Sequence, residues 1–108
     1  MSQEILQINF KFSVSASDLA QGFAPFAQPI ADTPGLRWKV WLMNEAESES
    51  GGIYLFDDTA SLKAYVAGPI VAGIKSNPVL SQVSIKAFGV AEELTHVTRG
   101  PIREGVRV

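Results

Sequence analysis

Residues 4–14, EILQINFKFSV, alternate without a break: Leu6, Ile8, Phe10, Phe12 and Val14 fall on one side of an extended chain, and Gln7, Asn9, Lys11 and Ser13 on the other. Period two with aromatic and β-branched residues predicts a strand with one buried and one wetted face. The rest of the chain must supply an apolar layer for that buried face and partners for the strand's edges.

Ser15 or Ser17 can cap a helix start, and Asp18 sits where the helix dipole favours a negative charge. Leu19, Phe23, Phe26, Ala27 and Ile30 then form one helical stripe. The spacing predicts a helix kinked or broken near Pro25, because Pro25 and Pro29 each remove a backbone donor, and ended by TPG at 33–35. LRWKVWLM, 36–43, reads as a second strand. Strict alternation puts Leu36, Trp38, Val40 and Leu42 on one side, and Arg37, Lys39, Trp41 and Met43 on the other. NEAESES, 44–50, is a polar loop, and GGIYLF, 51–56, returns as the hairpin partner. Asp57 or Asp58 caps a second helix bearing Leu62, Tyr65 and Val66, which ends or bends at Gly68-Pro69 and resumes for a turn or two over 69–75. QVSIKAFGV, 82–90, alternates again, with Val83, Ile85 and Ala87 on a shared face. A short helix over 91–97 precedes a tail whose pattern fades beyond Gly100.

The order is β-α-β-β-α-β. With right-handed crossovers it predicts a ferredoxin-like α+β fold, a four-stranded antiparallel sheet with both helices on one face. The expectation is a single domain over residues 1–108, with a core of about 4–98 and a tail of 99–108. Two helices cover only one face of such a sheet. Leu6, Ile8, Phe10 and Phe12 with Trp38, Val40, Leu42, Val83 and Ile85 make the expected covered face, which leaves Trp41, Met43 and Phe88 on the open one. GGIYLF is apolar on both sides, as in a strand buried on both sides. A second copy packed sheet against sheet resolves this, and a two-fold homodimer in which Trp41 serves the interface is the expectation.

Apolar residues make up 46% and charged residues 19% of the chain, which suits a folded core. A net charge of −2 without clustered cations argues against a nucleic-acid module or a polybasic membrane surface. There is no cysteine, so thiolate chemistry, Cys-ligated zinc and iron–sulfur clusters are excluded. MSQEILQINF lacks a basic segment followed by an apolar run, and no apolar segment approaches the ~20 residues of a membrane span, so the expectation is a soluble cytoplasmic protein.

The segments EILQINFKF (4–12), PGLRWKVW (34–41), GGIYLFDD (51–58) and SLKAYVAG (61–68) carry a further signal. Their order and spacing resemble the YdhR-like monooxygenase family of the dimeric α+β barrel superfamily, over residues 4 to about 90. That resemblance implies the fold just read, a homodimer whose sheets face each other, and oxidation of aromatic polyketide-like molecules with O₂ and no metal or flavin. Haem binding also occurs on this fold. His96, the only histidine, lies outside the main helices, so no cofactor and no metal site is expected.

Cofactor-free oxygenation needs an electron-rich substrate anion, apolar or aromatic walls, and a cation or donor to hold the anion. If a pocket lies between the sheet and the first helix, the candidate walls are Phe10, Phe23, Phe26, Ile30, Trp38 and Tyr54. Candidate catalytic groups are His96, Arg37 and Tyr54, with Lys39 and Asn9 as further donors. Each has a plainer alternative: Trp38 as core, Arg37 and Lys39 as solvated or paired with glutamates, Tyr54 as a bonded interior hydroxyl, His96 as a surface residue. EAESES reads as a solvated loop, and AGPIVAG lacks the Lys-Ser/Thr ending of a phosphate loop. The competing reading is a non-catalytic dimeric module that binds a small apolar ligand. The apolar excess on the sheet predicts that light scattering at micromolar concentration reports a dimer; a stable monomer would remove the sheet-to-sheet argument.

Overall fold

A computed structural model describes residues 2–103. Strand β1 spans Glu4–Phe12, helix α1 Ala16–Ala31, β2 Leu36–Asn44 and β3 Glu49–Phe56. Helices α2 and α3 span Thr59–Val66 and Pro69–Ser76, followed by β4 Leu80–Gly89 and α4 Glu92–Val97. The sheet order is β2-β3-β1-β4, with every neighbouring pair antiparallel. This is the ferredoxin-like α+β arrangement, with the second helix divided in two at Gly68-Pro69. None of the described helices is long and apolar enough to cross a membrane.

Local chemistry explains the helix ends. Ser15 Oγ accepts from the backbone N–H of Asp18 at 3.0 Å, and Asp58 Oδ1 accepts from that of Ser61 at 2.8 Å, so each helix begins on a side-chain cap. Pro69 opens α3 at a position where a missing N–H costs nothing. The expected break at Pro25 does not occur: α1 is continuous with both prolines inside it. The carbonyls that the prolines leave without a helical donor belong to Gln21 and Pro25, both exposed residues. Water can bond them there, and Leu19 and Ile30 at the two ends of the stripe stay buried. Between α1 and β2 the backbone turns through Gly35 at φ +82°, and Gly35 takes the N–H of Asp57 at 2.8 Å.

Leu6, Ile8, Phe10 and Phe12 of β1, Tyr54 and Phe56 of β3, Leu19 and Ile30 of α1, Leu62 and Tyr65 of α2, and Val71 of α3 form the core. Each of these apolar side chains contributes roughly 1.5–3 kcal/mol by burial. Val83 and Ile85 of β4 pack against the same cluster, as their alternation predicts.

The faces of β2 differ from strict alternation. Its register with β3 shifts by one residue between Leu36, opposite Phe56, and Trp38, opposite Leu55. Arg37 is thus the extra residue of a β-bulge, and every later side chain of β2 changes sides. Lys39 pairs with Tyr54, Trp41 with Gly52 and Met43 with Ser50, which puts all three on the helix-covered face. Trp38, Val40 and Leu42 pair with Leu55, Ile53 and Gly51 on the open face. The expected assignment of Trp38 inward and Trp41 toward a second subunit is therefore reversed. A similar irregularity in β4, where Gln82 has φ +52°, falls between the pairs Lys11–Ser81 and Asn9–Ser84 and keeps Val83 inward.

The open face is partly covered by the chain itself. Leu55 lies there yet is 0% exposed. Trp38 Nε1 donates to the carbonyl of Pro101 at 2.7 Å, and the backbone N–H of Arg103 donates to the buried Gln3 side chain at 2.6 Å. These bonds draw the described part of the tail back over the strands. The remainder of the expected tail, 104–108, lies outside the described residues. Deleting Arg37 should leave Leu36, Lys39 and Trp41 on the helix side and shift the urea midpoint far less than deleting Val40, which sends Lys39 to the open face and Trp38 to the helix side.

Candidate functional site

Two features of the β2–β3 hairpin build the site floor. The first is the side-chain parity just described. The second is the pair Gly51-Gly52 opposite Ile8 and Asn9. A Cβ on Gly51 would run into the Ile8 carbonyl, so close pairing of β3 with β1 requires glycine there. A Cβ on Gly52 would come within 2.5 Å of Lys39 Cε and 3.3 Å of Tyr54 Cε1. Glycine at 52 therefore leaves the space in which the lysine stem crosses the sheet surface.

Above this floor is a cavity of about 120 Å³, roofed by α1 and walled by α3 and the start of β4. Phe10 meets Phe23 edge-to-face with ring centres 5.8 Å apart, and Phe23 meets Trp41 at 5.8 Å. These contacts hold the α1 side of the cavity to its floor. Phe26 lines the cavity and is 48% exposed, which places it at the rim. Ile30, Ile70 and Ile74 complete an apolar lining with few polar groups in it.

One of those polar groups is Lys39. Its Nζ sits 3.3 Å from the centre of the Trp41 ring and 4.6 Å from that of Tyr54. It has no hydrogen bond or ion pair among the described residues, and no acidic residue lines the cavity. Burial lowers its pKa to about 7. The two aromatic faces oppose that shift, since a ring quadrupole favours the charged ammonium. Tyr54 is the other titratable cavity residue. Its hydroxyl accepts from the Tyr65 hydroxyl at 3.2 Å, and burial pushes both phenols above their ordinary range. Asn77, at the end of α3, also reaches the lining while its Oδ1 takes the backbone N–H of Val79 at 3.0 Å.

Of the walls named from sequence, Phe10, Phe23, Phe26, Ile30 and Tyr54 meet around this cavity. Trp38 does not. The bulge turns it to the open face, opposite Leu55. Arg37 is exposed and lies 3.6 Å from Asp57, and His96 is exposed on α4, so neither joins Tyr54 in the cavity. Asn9 lies on the open face and accepts from Gln7 at 2.9 Å. Sequence reasoning placed Trp41 at an interface and overlooked α3 as a wall. Counting the register outward from the short loop 45–48 would have paired Lys39 with Tyr54 and Trp41 with Gly52. Among the described residues no three His, Asp or Glu side chains are grouped to hold a metal ion.

A four-stranded antiparallel sheet with an aromatic cavity beneath its first helix defines a ferredoxin-like α+β protein. More narrowly, residues 5–101 match the model of the family described as "Putative mono-oxygenase ydhR", and the chain belongs to that family. Among solved structures, it is similar to the NE2512 protein of unknown function from Nitrosomonas europaea, with 20% identity, TM-score 0.71, and 84% of this chain and 91% of that one covered. It is also similar to SnoaB, a cofactor-independent oxygenase from Streptomyces nogalater, with 16% identity, TM-score 0.68 and coverage of 85% and 96%. A third is the heme-degrader MhuD from Mycobacterium tuberculosis, solved with two hemes in its active site, with 22% identity, TM-score 0.62 and coverage of 81% and 95%. At these identities the likeness is one of fold. No curated protein matches the sequence.

The Lys39 environment has a consequence for stability. Between pH 7 and about 10.5 the unfolded lysine holds a proton that the folded one has released, so stability rises with pH across that window. Above about pH 10 the raised phenols of Tyr54 and Tyr65 act in the opposite sense, because the folded state then retains protons that the unfolded state loses. In Lys39→Met the rise from pH 7 to 10 should flatten in urea titrations; an unchanged slope would show that Lys39 ionises as an ordinary lysine.

Proposed function

We propose that this protein is a homodimeric, cofactor-independent monooxygenase that uses O₂ on a small aromatic molecule. The observation that carries the reading is Lys39, an amine with no acidic partner among the described residues, set against the Trp41 and Tyr54 rings on the floor of an apolar cavity. Ground-state dioxygen reacts slowly with closed-shell molecules, so the substrate itself has to supply an electron. An activated aromatic methylene or hydroquinone does so once deprotonated. Neutral Lys39 takes that proton, and the resulting ammonium holds the anion in a low-dielectric site. The anion passes one electron to O₂, and the radical and superoxide combine as a peroxide that the ammonium protonates. For a methylene, loss of water leaves the ketone, so that R₂CH₂ and O₂ give R₂C=O and H₂O. Tyr54 keeps its proton and suits the role of donor rather than base.

The cavity has about the volume of an engineered cavity that holds a single benzene ring. A polycyclic substrate requires Phe26 to swing outward from the rim. A haem fits this lining poorly, since it contributes no histidine and His96 is exposed elsewhere. The homodimer is supported by the open face, where Val40 and Phe88 are about half exposed, and by Leu94 and Val97 on α4, both largely exposed. The second reading, a binding module, is favoured by the presence of one basic group in the cavity rather than an acid–base pair.

Oxygen uptake with anthrone or a naphthalene hydroquinone tests the two. The wild-type rate should rise through about pH 7 as Lys39 deprotonates. Lys39→Met should lower that rate by about 10²–10⁴-fold, the usual contribution of a general base. Tryptophan quenching without oxygen uptake would instead support the binding module, and full activity in Lys39→Met would remove the role given to the lysine.

A further inference from the structure

We propose that Lys39 is a covalent capture site for small aromatic aldehydes and ketones, its amine condensing with the carbonyl inside the cavity to form an imine. The support is geometric. Lys39 is the one amine among the described residues lining the cavity, and its stem lies across Gly52 with Nζ over Trp41. Among the described residues neither a carboxylate nor a backbone carbonyl occupies its hydrogens, so an incoming carbonyl displaces no ion pair with them. The aromatic walls and the volume of about 120 Å³ suit a single ring carrying one polar end.

Imine formation needs an uncharged amine in a water-poor place, which is how desolvated lysines become nucleophiles. Burial among aromatic groups supplies both conditions and lowers the Lys39 pKa to about 7. Among the described residues the only other titratable group lining the cavity is Tyr54, which stays neutral. The remaining lysines differ. Lys11 donates to the Glu47 carbonyl at 3.1 Å and lies 4.0 Å from the Glu49 carboxylate, while Lys63, Lys75 and Lys86 are exposed.

The step balances without an oxidant or reductant. The Nζ lone pair attacks the carbonyl carbon to give a carbinolamine. The former carbonyl oxygen then leaves with two protons as water, and a C=N bond remains. An unreduced imine is hydrolysed when water returns, so capture is reversible. The inference requires the cavity and its amine but no oxygenation, so it stands or falls separately from the monooxygenase reading.

The test uses the full-length protein with benzaldehyde and sodium cyanoborohydride at neutral pH, followed by peptide mapping. Lys39 should carry the benzyl group about tenfold or more over Lys11, Lys63, Lys75 and Lys86, because those four lie outside the aromatic cavity that desolvates an amine and seats the ring. The preference should vanish in denaturing urea. Lys39→Arg, which keeps the cation but forms no imine, should lose the slow tryptophan quenching that benzaldehyde produces in the wild type. Even labelling of the native lysines, a preference that survives in urea, or slow quenching that persists in Lys39→Arg would overturn the proposal. Labelling at Lys39 without oxygen uptake would sustain it while removing the monooxygenase reading.

Discussion

The register of the β2–β3 hairpin is the constraint on which the site depends. From Asn44 opposite Glu49 to Trp38 opposite Leu55, the pairing decides which side of the sheet each β2 side chain occupies. A slip of one residue would exchange Lys39 and Trp41 for Trp38 and Val40 beneath the helices. The bulge at Arg37 then lets Leu36 return to the helix side beside Phe56, where it packs against the core. The hairpin thus satisfies two apolar demands that strict alternation would set against each other.

Placing an amine on that floor involves opposing terms. Burial disfavours the ammonium, while the faces of Trp41 and Tyr54 favour it by up to ~2 kcal/mol for a desolvated cation–π contact. Desolvation prevails, and the outcome is a lysine close to balance between its two forms near neutral pH. An exposed lysine would stay protonated, and one paired with a carboxylate would be held charged. Glycine at position 52 is a condition of this balance, because a side chain there would push the lysine stem away from the rings.

The opposite face of the sheet follows different rules. Trp38, displaced from the cavity, covers part of the open surface and bonds the Pro101 carbonyl, while Gln3 fixes the backbone at Arg103. Leu55 is buried on that face. Val40, Phe88 and the outward side chains of α4 remain exposed. The two tryptophans of WKVW therefore stand three residues apart on opposite sides of the sheet, one facing the cavity and the other the face available to a partner.

The order of elements was legible from the chain itself, because alternation in 4–14 and 82–90 and the helical stripes at 19–30 and 62–66 are local patterns with a single sensible period. The caps at Ser15 and Asp58 were named among the candidates for the same reason. So were the cavity walls from β1 and α1, since Phe10, Phe23, Phe26 and Ile30 could only point toward one another. The faces of β2 were not legible from the strand alone, because a one-residue bulge leaves no mark in its residues and each side carries a tryptophan. The chain by itself determined a ferredoxin-like sheet with aromatic groups beneath its first helix. Only the tertiary structure decided that Lys39 and Trp41 belong to that cavity while Trp38 does not, since parity across a sheet is set by pairing with another strand and not by the strand's own residues.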